Sequence, residues 1–218
     1  MGEQTGSRRE VDAEKGVDRL VFFSDAVIAI SITLIVLPLV DVARDPSGGS
    51  AAEFFAENGP GLLAAGVSFL VIGSYWREHH RMFNTAIGFN RTLVTLNLLW
   101  LAGIAFLPLA TVLQVGASRD DRLANIVYIG SIAVTTALLR SEEVVLARGG
   151  LLEPGAAPST RQLAVHWTPV ALTLLAAAVA AVAPQSGLYP LLLLLLGRPI
   201  ERLLRPRTAP LSSPAGSP

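Results

Sequence analysis

Apolar and polar positions fall along this chain in long blocks. Six apolar tracts stand out, at about 20–40, 61–76, 92–115, 123–139, 163–183 and 188–204, separated by polar or Pro/Gly-rich breaks. A bilayer core takes roughly 20 apolar residues per helix. The pattern therefore predicts one all-α bundle of six transmembrane helices over 19–205, preceded by a polar segment, 1–18, and followed by a tail, 206–218, whose composition reads as disordered. The clearest loop is "DVARDPSGGSAAEFFAENGPG", within which "AAEFFAE" suits a short amphipathic helix at the interface. The sixth tract is short. It crosses only if Arg198 and Arg202 snorkel and the helix runs past Pro199 to Leu204.

Composition points the same way: 51% of the residues are hydrophobic and 16% charged, against about a quarter charged in soluble domains. The first apolar tract is too long for a signal-peptide core and has no small-residue cleavage pattern, so it is expected to be retained. With no cysteine, disulfides and thiolate metal sites are excluded. The net charge of zero says little, but the distribution of charge says more. With the N-terminus inside, fourteen of the seventeen basic residues fall on the cytoplasmic side, and only Arg44, Arg119 and Arg122 lie outside. Six spans with both termini in the cytoplasm follow. A five-span arrangement would put the last four arginines outside.

The first tract, "RLVFFSDAVIAISITLIVLPLV", keeps a carboxylate, Asp25, where a charge costs several kcal/mol. On a helical wheel Phe23, Ile30, Leu34 and Leu37 form one stripe, with Thr33 flanking it, all within a sector of about 100°. Asp25 and Ser24 fall outside that sector, on the sides turned away from it. The stripe suits ordinary packing as well as a functional face, and Thr33 equally suits a hydroxyl bonded back to its own helix. Arg19 lies about 9 Å along the axis from Asp25 on another face, so no one-turn pair forms between them. Partners must come from other spans. "YWREHHRMF" offers Trp76, His79 and His80, and the third tract offers Asn97 and Trp100, enough for a network across three helices. The competing reading is an interfacial belt of aromatic and basic anchors.

Two other functional classes fit the residues less well. The adjacent histidines of "REHHR" lack metalloenzyme spacing, and no nucleophile stands with a base, so no enzyme activity, metal or cofactor is expected. A proton-coupled transporter using Asp25 and His79 or His80 is the alternative, although Pro108, Pro169 and Pro184 do not mark a matched pair of broken helices.

Arg19, Phe23, Ser24 and Asp25 reproduce R-x-x-x-F-S-D, and in this the chain resembles the transmembrane protein 175 family of potassium channels. "AVIAISITLIVL", "SFLVIGSYWREHHRMF" and "NLLWLAGIAFLPLA" are similar to that family's first three helices, whereas the second half matches only in hydropathy. The resemblance implies a leak-like potassium channel in a bacterial plasma membrane. It implies a homotetramer embedded in lipid, with the first helices lining the pore, potassium as the ion and no nucleic-acid partner. Carried over by position, Ile30 matches the narrowest apolar ring, Leu34 and Leu37 the next two, and Thr33 the hydroxyl layer linked to selectivity. Arg19, Phe23, Ser24 and Asp25 match a structural network with Trp76, His79, His80 and Asn97. Pro38 departs from an unbroken helix and predicts a kink or early end beyond Leu37.

Overall fold

A computed structural model describes residues 2–44, 49–118 and 120–196. Its helices are α1 (Gly2–Ala43), α2 (Ala51–Glu57), α3 (Gly59–Phe83), α4 (Arg91–Gly116), α5 (Arg122–Arg148), α6 (Thr160–His166) and α7 (Thr168–Val182). Two 3₁₀ segments follow, Pro184–Ser186 and Tyr189–Leu196. Among the described residues five segments are long and apolar enough to cross a membrane: the part of α1 from Glu14, then α3, α4, α5, and α6 with α7 taken together. The expected sixth span enters the description only as the 3₁₀ segment to Leu196, and Arg198, Arg202 and Leu204 lie outside the described residues.

The element boundaries have local causes. Asn90 caps α4 by accepting from the Leu93 N–H at 2.8 Å, and Asp121 caps α5 by accepting from the Ala124 N–H at 2.9 Å. The expected amphipathic helix at "AAEFFAE" is α2, begun by a capping box in which the Glu53 carboxylate accepts from the Ser50 N–H at 2.6 Å. That backbone hydrogen bond, with the Ser50 hydroxyl, holds the Glu53 carboxyl below its usual range. The fifth tract is divided at Trp167, where Pro169 brings no N–H and restricts the residue before it. Pro38 does not end α1, which continues to Ala43.

Two loops at one end of the bundle are fastened together. Ile87 N–H donates to Leu151 O and Glu153 N–H to Thr85 O, each at 2.9 Å, around an isolated bridge between Ala86 and Leu152. The α3–α4 and α5–α6 connections thus lie on the same side, as the arginine distribution requires. Trp100, Ile72, Ile104, Tyr128 and Leu139 fill the centre of the bundle. Helix α4 meets α5 closely at Gly103, where a Cβ would stand 2.5 Å from Thr135 Oγ1. Polar side chains bind the same helices. Ser68 Oγ lies 2.8 Å from Thr111 Oγ1 and 2.9 Å from the Tyr128 hydroxyl, and the Tyr75 hydroxyl donates to Ile132 O at 2.9 Å. In a bundle without water, such bonds between spans replace part of the missing hydrophobic drive.

Candidate functional site: the first helix and its anchor

Helix α1 has two unlike faces. Val17, Ser24, Ile28, Ser31 and Ile35 are buried, and on the wheel they share a sector of about 60°. Ile30, Leu34 and Leu37 are 60%, 42% and 47% exposed on the isolated chain, and Phe23 and Thr33 are exposed with them. The stripe thus lies within the part of α1 that its own bundle leaves uncovered. Ile30 and Ser31 are adjacent in sequence, yet Ser31 is 2% exposed and donates to Val27 O at 2.9 Å. The Thr33 hydroxyl donates to Ile30 O at 2.7 Å.

The polar residues of α1 are held by two separate chains of contact. In one, Trp76 Nε1 donates to the Asp25 carboxylate at 3.0 Å, and the indole stacks on the His80 ring with centroids 5.6 Å apart. In the other, fully buried Ser24 contacts Asn97 Oδ1 at 3.1 Å, and Asn97 Nδ2 lies 3.0 Å from His79 Nε2. The His79 ring is sandwiched between Trp100 at 4.6 Å and Phe83 at 4.2 Å, both stacked. Sequence reasoning placed these residues in one network, and the structure divides them between two. Arg19 belongs to neither: it is exposed and makes no hydrogen bond or ion pair among the described residues.

One member of the second chain was not foreseen. Glu142 on α5 is fully buried, with a carboxylate oxygen 3.9 Å from His79 Nε2. No well-formed hydrogen bond reaches either of its oxygens, although the Asn97 amide is close by. The contacts therefore run from Ser24 on α1 through Asn97 on α4 and His79 on α3 to Glu142 on α5. Beside them Arg140 donates to Glu78 at 2.7 Å and to Glu143 at 3.0 Å, and Glu143 also meets His166 Nδ1 at 2.7 Å. The only sequence signal for Glu142 was "SEEV", which also fits the solvated end of a helix.

A multi-pass membrane bundle results, in which polar contacts bind one side of the first helix and an apolar face stays exposed. Residues 19–108 match the family model described as "Endosomal/lysosomal potassium channel TMEM175", and over this stretch the chain is similar to that family. A protein of Streptomyces collinus described as a potassium channel is 38% identical over 108 residues, covering 50% of this chain and 52% of its own. Another so described, from Chryseobacterium, is 39% identical over 93 residues, 43% of this chain and 46% of its own. The chain thus spans about half the length of these curated relatives. The "Endosomal/lysosomal proton channel TMEM175" of Gallus gallus is 40% identical over 100 residues, 43% of this chain and 20% of its own. Among solved structures, a lysosomal potassium-selective channel TMEM175 homologue from Chamaesiphon minutus matches with a TM-score of 0.57 and 22% identity, over 84% of this chain and 98% of its own. That likeness is one of fold.

Proposed function

We propose that this chain is a potassium-conducting channel subunit of a bacterial plasma membrane, working as a homotetramer with both termini in the cytoplasm and four copies of α1 around the pore. The observation that carries this reading is the uncovered stripe of Ile30, Leu34 and Leu37, opposite the face that anchors α1 to its bundle. The other spans also leave apolar residues exposed, as contact with lipid requires, and α1 is set apart by the R-x-x-x-F-S-D motif that precedes its stripe. The relatives described as potassium channels supply the ion.

In this reading Ile30 forms the narrowest ring, with Leu34 and Leu37 further out. An alkyl side chain offers no oxygen to a cation, so such rings act by narrowing the path and expelling water. Thr33, one helical turn from Ile30, supplies the hydroxyl layer. Phe22 and Val36 extend the exposed sector of α1 beyond the stripe, leaving surface for a neighbouring subunit as well as for a pore.

The test is voltage-driven flux of potassium and sodium into liposomes containing the purified protein, with a proton-flux arm. Passive potassium flux exceeding sodium flux supports the reading. Flux that requires a proton gradient would replace it with the coupled transporter using Asp25 and the α3 histidines. Passive proton flux without potassium flux would favour the activity for which the animal relatives are described.

A further inference from the structure

At the end of the bundle that the arginine pattern assigns to the cytoplasm, α3, α5 and α7 part around a cavity of about 290 Å³. Its wall changes with depth. Toward the middle of the bundle Val71, Ile132 and Leu194 give it an apolar patch, and the hydroxyls beside them, of Ser74, Tyr75, Thr136 and Thr173, each donate to a backbone carbonyl. About 9 to 15 Å further along the α3 axis, by helical rise, the wall is basic, with Arg77 and Arg81 on α3 and Arg140 facing them from α5.

The charges at this end are unevenly matched. Glu78, which also lines the cavity, accepts from Arg140 and pairs with Arg81. Glu143 is taken up by Arg140 and His166. Arg77 is exposed and has no hydrogen bond or ion pair among the described residues, and the Arg81 side chain is 57% exposed. Three guanidinium groups thus line a space into which one carboxylate, Glu78, projects. A soluble anion would use the basic rim and have no use for the apolar floor. A lipid would use both.

We propose that this cavity binds an anionic phospholipid of the inner leaflet, with its phosphodiester between Arg77 and Arg81 and the first carbons of one acyl chain against Val71, Ile132 and Leu194. Basic pockets between spans on the cytoplasmic side are suited to such head groups by charge and by position. The volume admits a head group and the start of a chain, so the rest of the lipid would lie along the outer surfaces of α3 and α7.

Native mass spectrometry of the purified full chain, with phosphatidylglycerol and phosphatidylcholine of identical acyl chains supplied in equal amounts, tests this. Phosphatidylglycerol should be retained several-fold over phosphatidylcholine. Arg77→Gln alone should reduce that preference, and Arg77→Gln with Arg81→Gln should abolish it. Arg148→Gln removes an exposed basic residue at the same end outside the cavity and should leave it unchanged. Equal retention of the two lipids, or equal losses in all three variants, overturns the proposal. So does displacement of phosphatidylglycerol by millimolar inorganic phosphate, which would show that the anion alone is recognised. Retention of neither lipid overturns it too.

Discussion

Trp76 reaches across from α3 to give its indole N–H to the Asp25 carboxylate, 3.0 Å away. This bond holds α1 from one side while the contact of Ser24 with Asn97 holds it from the other. Trp76→Phe keeps an aromatic ring and removes the donor, so it should destabilise assembly by about 1 to 2 kcal/mol, the scale of one hydrogen bond to a charged group. Asp25→Asn should be milder than Asp25→Ala because its amide oxygen still accepts. Thermal melting of the assembled species in detergent, read by size-exclusion chromatography, checks the order. A variant that assembled normally and lost only permeation would instead place Asp25 in the ion path.

The ring proposed at Ile30 makes a prediction of a different kind. Ile30→Asn keeps similar bulk but admits water, so conductance should rise and discrimination between potassium and sodium should weaken. Ser31→Ala, on the buried face, should change neither. Paired flux measurements at equal protein load decide it, and equal behaviour of the two variants would reduce the stripe to ordinary packing.

Glu142 separates shape from charge. Glu142→Gln preserves the outline of the side chain beside His79 and should leave assembly close to wild type, whereas Glu142→Ala opens a cavity among the spans and should lower the melting midpoint clearly. A Gln variant as damaged as the Ala variant would show that the negative charge itself holds His79 in place.

Gly103 tests the closest approach of helices. A side chain there runs into Thr135, so Gly103→Val should cost about 1 to 3 kcal/mol through overpacking. The double variant Gly103→Ala with Thr135→Ala should recover part of the loss seen in Gly103→Ala alone, because it removes the opposing hydroxyl. Melting of the purified variants is the measurement.

The natural chain has no cysteine, which makes topology directly measurable. Glu57→Cys and Ser118→Cys should be labelled from outside intact cells by a membrane-impermeant maleimide, and Arg148→Cys should not. Labelling of Arg148→Cys alone would invert the orientation.

The first helix was the most legible part of the sequence, because its two faces differ in chemistry as well as in hydropathy. A wheel drawn from residue types alone separates Ile30, Leu34 and Leu37 from Ser24 and Ser31, and burial divides these residues the same way. The second tract was drawn too short: hydropathy falls at "REHHR", but no helix breaker follows until Asn84, so α3 runs on to Phe83 and brings His79 into the core. Glu142 was illegible for a related reason, since a charged residue near a helix end looks solvated until the neighbouring helices are placed. The break at Trp167 was visible in the Thr-Pro pair but was outweighed by the apolar composition around it. The division of the anchor into two chains depends on side-chain directions from three helices, which spacing within one helix cannot supply.

In the proposed pore, the hydrogen bond from the Thr33 hydroxyl to Ile30 O bears on the sign of the ion. Its single proton is directed back into the helix, so the oxygen presents only lone pairs to the space beyond. A donor at that position would welcome chloride as readily as it repelled potassium. Four such oxygens around an axis would form a collar that is negative on its inner rim without carrying any formal charge, attractive to cations and easily left by them.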